Sequence, residues 1–148
     1  MNSRSNERGF TLIEIMIVIV IIGMLVGFVA LNLVGQSDEA KHTAARVQIE
    51  NFGSALTLYK VDNGVFPSTE QGLRALIEYP TVGTLPKKWR EGGYLSKKQI
   101  PKDPWGFEYI YVSPGLHAGY DLSSYGADNA PGGDDIANKD INSWEIDE

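Results

Sequence analysis

From Phe10 to Val34 the chain runs for 25 residues with one ionisable side chain, Glu14. At about 1.5 Å of helical rise per residue this run spans about 37 Å, more than the roughly 30 Å hydrocarbon core of a bilayer. A helix apolar on every face has no place at the surface of a water-soluble globule, so the segment predicts lipid or protein on all sides. Nine polar residues, 1–9, precede it and carry Arg4 and Arg8. Basic residues beside a span stay on the cytoplasmic side, which sends everything after the span outward. A cleavable secretory signal would have a shorter apolar region ending in small residues, and Ala30-Leu31-Asn32-Leu33-Val34-Gly35 does not supply that ending.

An ordinary signal anchor accounts for the length but not for Glu14, because a carboxylate inside an apolar helix costs on the order of 2.5 to 3.5 kcal/mol on insertion scales. A partner is therefore expected. If the chain is cut after Gly9, a cationic α-amine appears at Phe10, one helical turn from the Glu14 carboxylate. Within one subunit that amine would neutralise Glu14. Between packed subunits the same pair would set axial register, as buried polar pairs do in helical assemblies.

The order of basic leader, Gly9, Phe10-Thr11-Leu12-Ile13-Glu14 and then an unbroken apolar helix resembles the prepilin signature of type IV pilins and pseudopilins. The resemblance implies that a membrane prepilin peptidase cuts after Gly9 and methylates Phe10, with Glu14 serving subunit recruitment. It also implies a pilin-like α+β fold.

Beyond Val34 the sequence turns polar without breaking the helix. Ala45, Ile49, Phe52, Leu56 and Tyr59 recur at helical spacing and predict one apolar stripe. One long helix, about 10–61, follows, ended by Asn63-Gly64 with Gly64 as the left-handed cap. Gly23 and Gly27 in its apolar half permit either bending or close approach of a neighbouring helix. Pro67-Ser68-Thr69-Glu70-Gln71 predicts the start of a short helix that buries Leu73, Leu76 and Ile77. Phe107–Val112 and, more weakly, Tyr120–Tyr125 read as strands after an extended loop. The expected organisation is a leader, 1–9, a transmembrane and filament-core helix, 10–34, and a periplasmic globular domain, 35–148. Trp89, Trp105 and Trp144 are expected as core or hinge packing.

The net charge of −6 argues against nucleic acid as a partner. The absence of cysteine removes disulfides, thiolate nucleophiles and thiolate-bound zinc. His42, expected on the polar face of the helix, and His117, expected in a turn, lie far apart in sequence, so nothing marks a catalytic centre, although Asp121 is able to pair with one of them. Asp128, Asp134 and Asp135 fall within eight residues around a Gly-rich turn. Their chemistry suits either a solvated acidic turn or Ca²⁺, which takes oxygen ligands, and the spacing is not that of an EF-hand.

Tyr59-Lys60-Val61-Asp62-Asn63, Pro67 through Leu73, Glu91-Gly92-Gly93-Tyr94, Asp103-Pro104-Trp105-Gly106 and Ser113-Pro114-Gly115 resemble the major pseudopilins of type II secretion along nearly the whole chain. That resemblance implies one structural Ca²⁺ in the C-terminal loop. Asp128 and Asp134 match side-chain ligands, Tyr125 and Ala130 match carbonyl positions, and Asp135 is a further candidate. It also implies a non-enzymatic subunit that polymerises with itself from the bacterial inner membrane into a periplasmic filament. Minor pseudopilins, the prepilin peptidase and the inner-membrane assembly platform are its implied partners. A type IV pilus pilin is disfavoured by the missing cysteine pair. A membrane-anchored periplasmic enzyme lacks catalytic material here, with no cysteine and two histidines far apart, and a calcium-dependent binding module would have no dependence on Glu14.

Overall fold

The computed structural model describes residues 10–146, with the backbone alone described over 27–36. The chain divides into two compact units, Met1–Ser37 and Asp38–Glu148. Helix α1, Leu12–Asn63, is 52 residues long and contributes to both. It starts two residues later than the sequence suggested and ends two later. Its end is chemically defined: Gly64 has φ of 82° and donates its N–H to the Lys60 carbonyl at 2.6 Å, a left-handed cap that a residue with a Cβ adopts only at a cost.

In the second unit the expected stripe is the core. Ala45, Ile49, Phe52, Ala55, Leu56 and Tyr59 are all buried, and each large member contributes about 1.5 to 3 kcal/mol by leaving water. Against them lies a three-stranded antiparallel sheet in the order β1-β2-β3, formed by Ile110–Val112, Asp121–Ser124 and Ile141–Asn142. Tyr111 is registered with Leu122, and Ser124 with Ile141. The ring of Phe52 meets Tyr109 edge to face at 5.2 Å, a favoured aromatic geometry.

Both expected strands are present, though shorter than their sequence limits, and β3 has no counterpart in the reading above. Two residues are too few for any alternation to show; β3 exists because β2 is already there to pair with, Ser123 against Asn142 and Ser124 against Ile141, and the residue after it continues the ladder. Ser143 donates its N–H to the Leu122 carbonyl at 2.8 Å, and Leu122 returns its own N–H to Ser143 Oγ at 3.1 Å.

The expected short α-helix after Pro67 is instead a turn followed by a 3-10 helix, Leu73–Leu76. Ser68 and Gln71 exchange the reciprocal hydrogen bonds of a capping box at 3.0 and 3.3 Å, but these close a turn, and the 3-10 helix begins only at Leu73, after Gly72 and without a side-chain cap. Gln71 then reaches outward, and its Nε2 donates to the carbonyls of Val82 at 2.8 Å and Thr84 at 2.9 Å. Those bonds tie the turn before the 3-10 helix to the loop at 82–84. Leu73 and Leu76 are buried as expected, and Ile77 only partly.

The irregular stretch 77–109 is held by side chains gripping backbone rather than by ladders. Trp89 Nε1 donates to the Ala75 carbonyl at 3.0 Å, and Asn63 Oδ1 accepts Lys88 N–H at 3.0 Å. Asp62 takes Arg90 in a two-pronged pair at 2.5 and 3.3 Å, and that hydrogen-bonded guanidinium holds the carboxyl below the usual carboxylate range. Buried Asp103 organises the turn before β1: its Oδ1 accepts the N–H of Trp105 and of Phe107, and its Oδ2 accepts the Ser124 hydroxyl at 2.6 Å. Trp89 and Trp105 pack on the core, as expected.

Candidate functional site

Two regions carry the residues singled out from the sequence. At the first, Gly9 lies outside the described residues. Phe10 and Thr11 precede the helix, and the Thr11 side chain caps it. Glu14 donates its N–H to Thr11 Oγ1 at 3.3 Å, while Thr11 donates its N–H to Glu14 Oε2 at 3.4 Å. This is the reciprocal capping box of a Thr three residues before a Glu. Thr11 was missed as a functional position, although the Thr-x-x-Glu spacing was there to be read. The box aims the Glu14 carboxylate back towards the chain entry, next to the residue where cleavage after Gly9 would create an amine.

The apolar side chains that follow have nothing to pack on. From Phe10 to Val26 the large apolar residues are exposed, ranging from 45 % at Val18 to 79 % at Phe10 and Leu12. Among the described residues no helix is long and apolar enough to cross a membrane, and the described side chains of this run stop at Val26.

The second region is the C-terminal loop between β2 and β3. Ala127 donates its N–H to the Ala137 carbonyl at 2.8 Å, which closes the loop at its neck. Gly133, at φ 109°, lies so close to the Asn138 backbone that a Cβ would collide with it. Asp128 Oδ1 accepts Ala130 N–H at 3.1 Å. Asp135 accepts both the backbone N–H of Asn138 at 3.0 Å and its side-chain amide at 2.9 Å. Asp134 and Ala130 are exposed, and Tyr125 is half-buried. Among the described residues no three His, Asp or Glu side chains converge as a metal cluster would require.

The donor chemistry nonetheless fits a hard cation. All candidate ligands are oxygens on a sharply turning backbone, and one carboxylate oxygen, Asp140 Oδ1, is buried with no hydrogen-bond partner among the described residues. Asp140 stood outside the acidic cluster read from the sequence.

The two histidines part company. His117 Nδ1 lies 3.0 Å from Asp121 Oδ2, and its ring stacks on Trp144 at 3.9 Å. The pairing of Asp121 with a histidine is therefore real. Burial opposes the charge on Asp121, but the N–H groups of Leu116 and His117 and the His117 ring outweigh it and hold the carboxyl low. Among the described residues no serine or threonine shares a hydrogen bond with this pair, which clasps the chain before β2 to the C-terminal segment. His42 does not lie on a polar face as expected. Its Nε2 is buried and has no hydrogen-bond partner among the described residues, and burial, with Lys139 and Arg46 nearby, pushes its pKa down. Arg46 donates to the Ile146 carbonyl, so the C-terminal segment folds back against this part of α1.

Residues 32–144 match the family described as type II secretion system protein G. The chain belongs to that family. Residues 4–30 match the prokaryotic N-terminal methylation motif. Core protein G of the type II secretion system of Pseudomonas aeruginosa is 46 % identical over 142 residues, covering 96 % of this chain and 98 % of that protein. The Vibrio cholerae core protein G is 44 % identical over 146 residues, covering 99 % of this chain and 97 % of that one. Among solved structures, the major pseudopilin of the type 2 secretion system of enterohaemorrhagic Escherichia coli superposes with a TM-score of 0.65 at 38 % identity, over 76 % of this chain and 94 % of that one. Family membership makes this chain a structural pseudopilin subunit of type II secretion with the pilin-like α+β fold. The methylation motif spans the capped helix start, and the family match spans the C-terminal loop.

Proposed function

We propose that the protein is made as a single-pass precursor in the bacterial inner membrane, cut after Gly9 and methylated at Phe10. Copies of it then assemble into a periplasmic filament that drives folded proteins across the outer membrane. The observation that carries this reading is the bare apolar surface from Phe10 to Val26, exposed on every described side chain. Water does not tolerate such a surface at any useful concentration, whereas lipid tails and identical helices cover it about equally well. One segment thereby serves first as anchor and then as filament core. Glu14, already turned towards the chain start by its bond to Thr11, meets the new amine at Phe10 in the same subunit or in its neighbour.

Minor pseudopilins, the prepilin peptidase and the inner-membrane assembly platform are the partners this route requires. The C-terminal loop binds one Ca²⁺ through Asp128 and Asp134, with Asp135 and the carbonyls of Tyr125 and Ala130 as further donors. Binding to a loop that is shaped only when folded contributes directly to folding stability. No catalytic turnover is part of this role.

The N-terminal peptide mass of protein purified from native membranes tests the proposal. A peptide beginning at Phe10 with one added methyl group is expected. An intact leader, or cleavage near Gly35, would refute it.

A further inference from the structure

We propose that Asn63 is a site of spontaneous chemical modification, open to deamidation through its neighbour Gly64 and kept intact by the cap that ends α1. Asn63-Gly64 is the one Asn-Gly pair in the chain. Asparagine is a thermolabile residue, and a following glycine, with no Cβ to crowd the approach, leaves its amide most open to attack. The Gly64 nitrogen adds to Asn63 Cγ and gives up its proton, the Cγ–Nδ2 bond breaks, and ammonia leaves behind a cyclic imide. Water then opens either carbonyl of that ring, giving aspartate or, where the backbone is routed through the side chain, isoaspartate. Water is the only reagent consumed.

In the folded chain every atom of this reaction is already engaged. The attacking nitrogen is tied up, because Gly64 N–H donates to the Lys60 carbonyl at 2.6 Å. The leaving group is held as well: Asn63 Nδ2 donates to the Tyr59 carbonyl at 3.0 Å and to the Tyr94 hydroxyl at 3.4 Å. Oδ1 accepts the Lys88 N–H at 3.0 Å, so the side chain cannot rotate towards Gly64. Asn63 is also the last residue of α1, and a helical ψ turns the next nitrogen away from Cγ. Attack therefore waits for local opening of the cap. The segment that must open is 88–94, where the Tyr94 hydroxyl donates to the Lys88 carbonyl at 3.1 Å and Arg90 grips Asp62. The change is self-reinforcing. The acid has no N–H left for the Tyr59 carbonyl and sets a second carboxylate beside Asp62, so the modified cap holds less tightly.

The test incubates the full chain in detergent micelles at mildly alkaline pH, native or in urea. The peptide holding Asn63 is followed by its mass and by enzymatic methylation of isoaspartate. Conversion is expected in urea and should be at least about tenfold slower in the native chain. Tyr94→Phe removes the hydroxyl that bridges Asn63 and Lys88, and under native conditions it should speed conversion about fivefold, the population effect of one net hydrogen bond. Equal rates for the native and unfolded parent, or no conversion in either, would overturn the proposal. An unchanged native rate in Tyr94→Phe would overturn the gating by 88–94. If that variant does not fold, hydrogen exchange at the Gly64 amide of the parent decides. Protection supports the cap as the barrier, and exchange as fast as in urea overturns it.

Discussion

Replacing Phe52 by alanine tests whether the stripe on α1 is the organising core of the second unit. Phe52 is fully buried and makes an edge-to-face contact with Tyr109 at 5.2 Å. Deleting a buried Phe side chain costs about 3 to 5 kcal/mol through lost transfer energy and the cavity left behind. The aromatic pair accounts for about 0.5 to 1.5 kcal/mol of such losses. A domain of this size has only about 5 to 15 kcal/mol in total. At about 4 °C per kcal/mol the melting temperature falls by about 12 to 20 °C. All three tryptophans, Trp89, Trp105 and Trp144, lie in Asp38–Glu148, so fluorescence of the full chain in detergent reports on this unit without interference from the first. Val61→Ala is the matched control on the same helix, because Val61 is 73 % exposed and its truncation costs less than about 0.5 kcal/mol. Phe52→Leu, which keeps most of the volume, is expected between the two. If Phe52→Ala melts within a few degrees of Val61→Ala, the packing argument fails.

Asp103→Ala leaves the N–H groups of Trp105 and Phe107 and the Ser124 hydroxyl without their acceptor; a loss of about 2 kcal/mol or more in urea unfolding is expected, and a neutral result would show that the turn before β1 is held by something else. Burial lowers the folded pKa of His42 beneath its usual 6.5, so the unfolded chain takes up the proton first and stability is lost as pH falls through 6.5 towards the folded value. The groups facing it, Lys139 and Arg46, are cations and deepen that loss. His42→Gln should flatten the stability profile between neutral and mildly acidic pH, and parallel profiles for the two proteins would contradict this. Removal of calcium by a chelator should lower stability by the linkage amount, about 2.7 kcal/mol if the ion had been present at a hundred times its dissociation constant, and so lower the melting temperature. An unchanged melting temperature would count against calcium in the loop.

Periodicity fixed what it physically controls. The stripe from Ala45 to Tyr59 is a property of one helix and is legible because 3.6 residues per turn places those side chains together whatever surrounds them. The Gly64 cap and the Ser68–Gln71 box are likewise local, since each bond closes within four residues. The N-terminal motif, with Gly9, Phe10 and Glu14, also stood in the sequence, because a run of apolar residues interrupted by one carboxylate has few stable surroundings.

Tertiary structure decided the rest. The side chain of Gln71, in the turn before the 3-10 helix, bonds to carbonyls eleven and thirteen residues away, and propensity does not contain that information. Strand β3 forms because Ser123 and Ser124 of β2 offer it partners, not because two residues favour extension. His42 looked polar in sequence and is partly buried because the C-terminal segment returns to α1, carrying Lys139 to the imidazole and Ile146 to Arg46. Asp140 belongs to the acidic loop by folding rather than by spacing, since Gly132 is eight residues distant along the chain and 2.9 Å away through its hydrogen bond. Contacts within a turn or a helix are written in neighbouring residues, whereas contacts that close long loops depend on where the whole chain comes to rest.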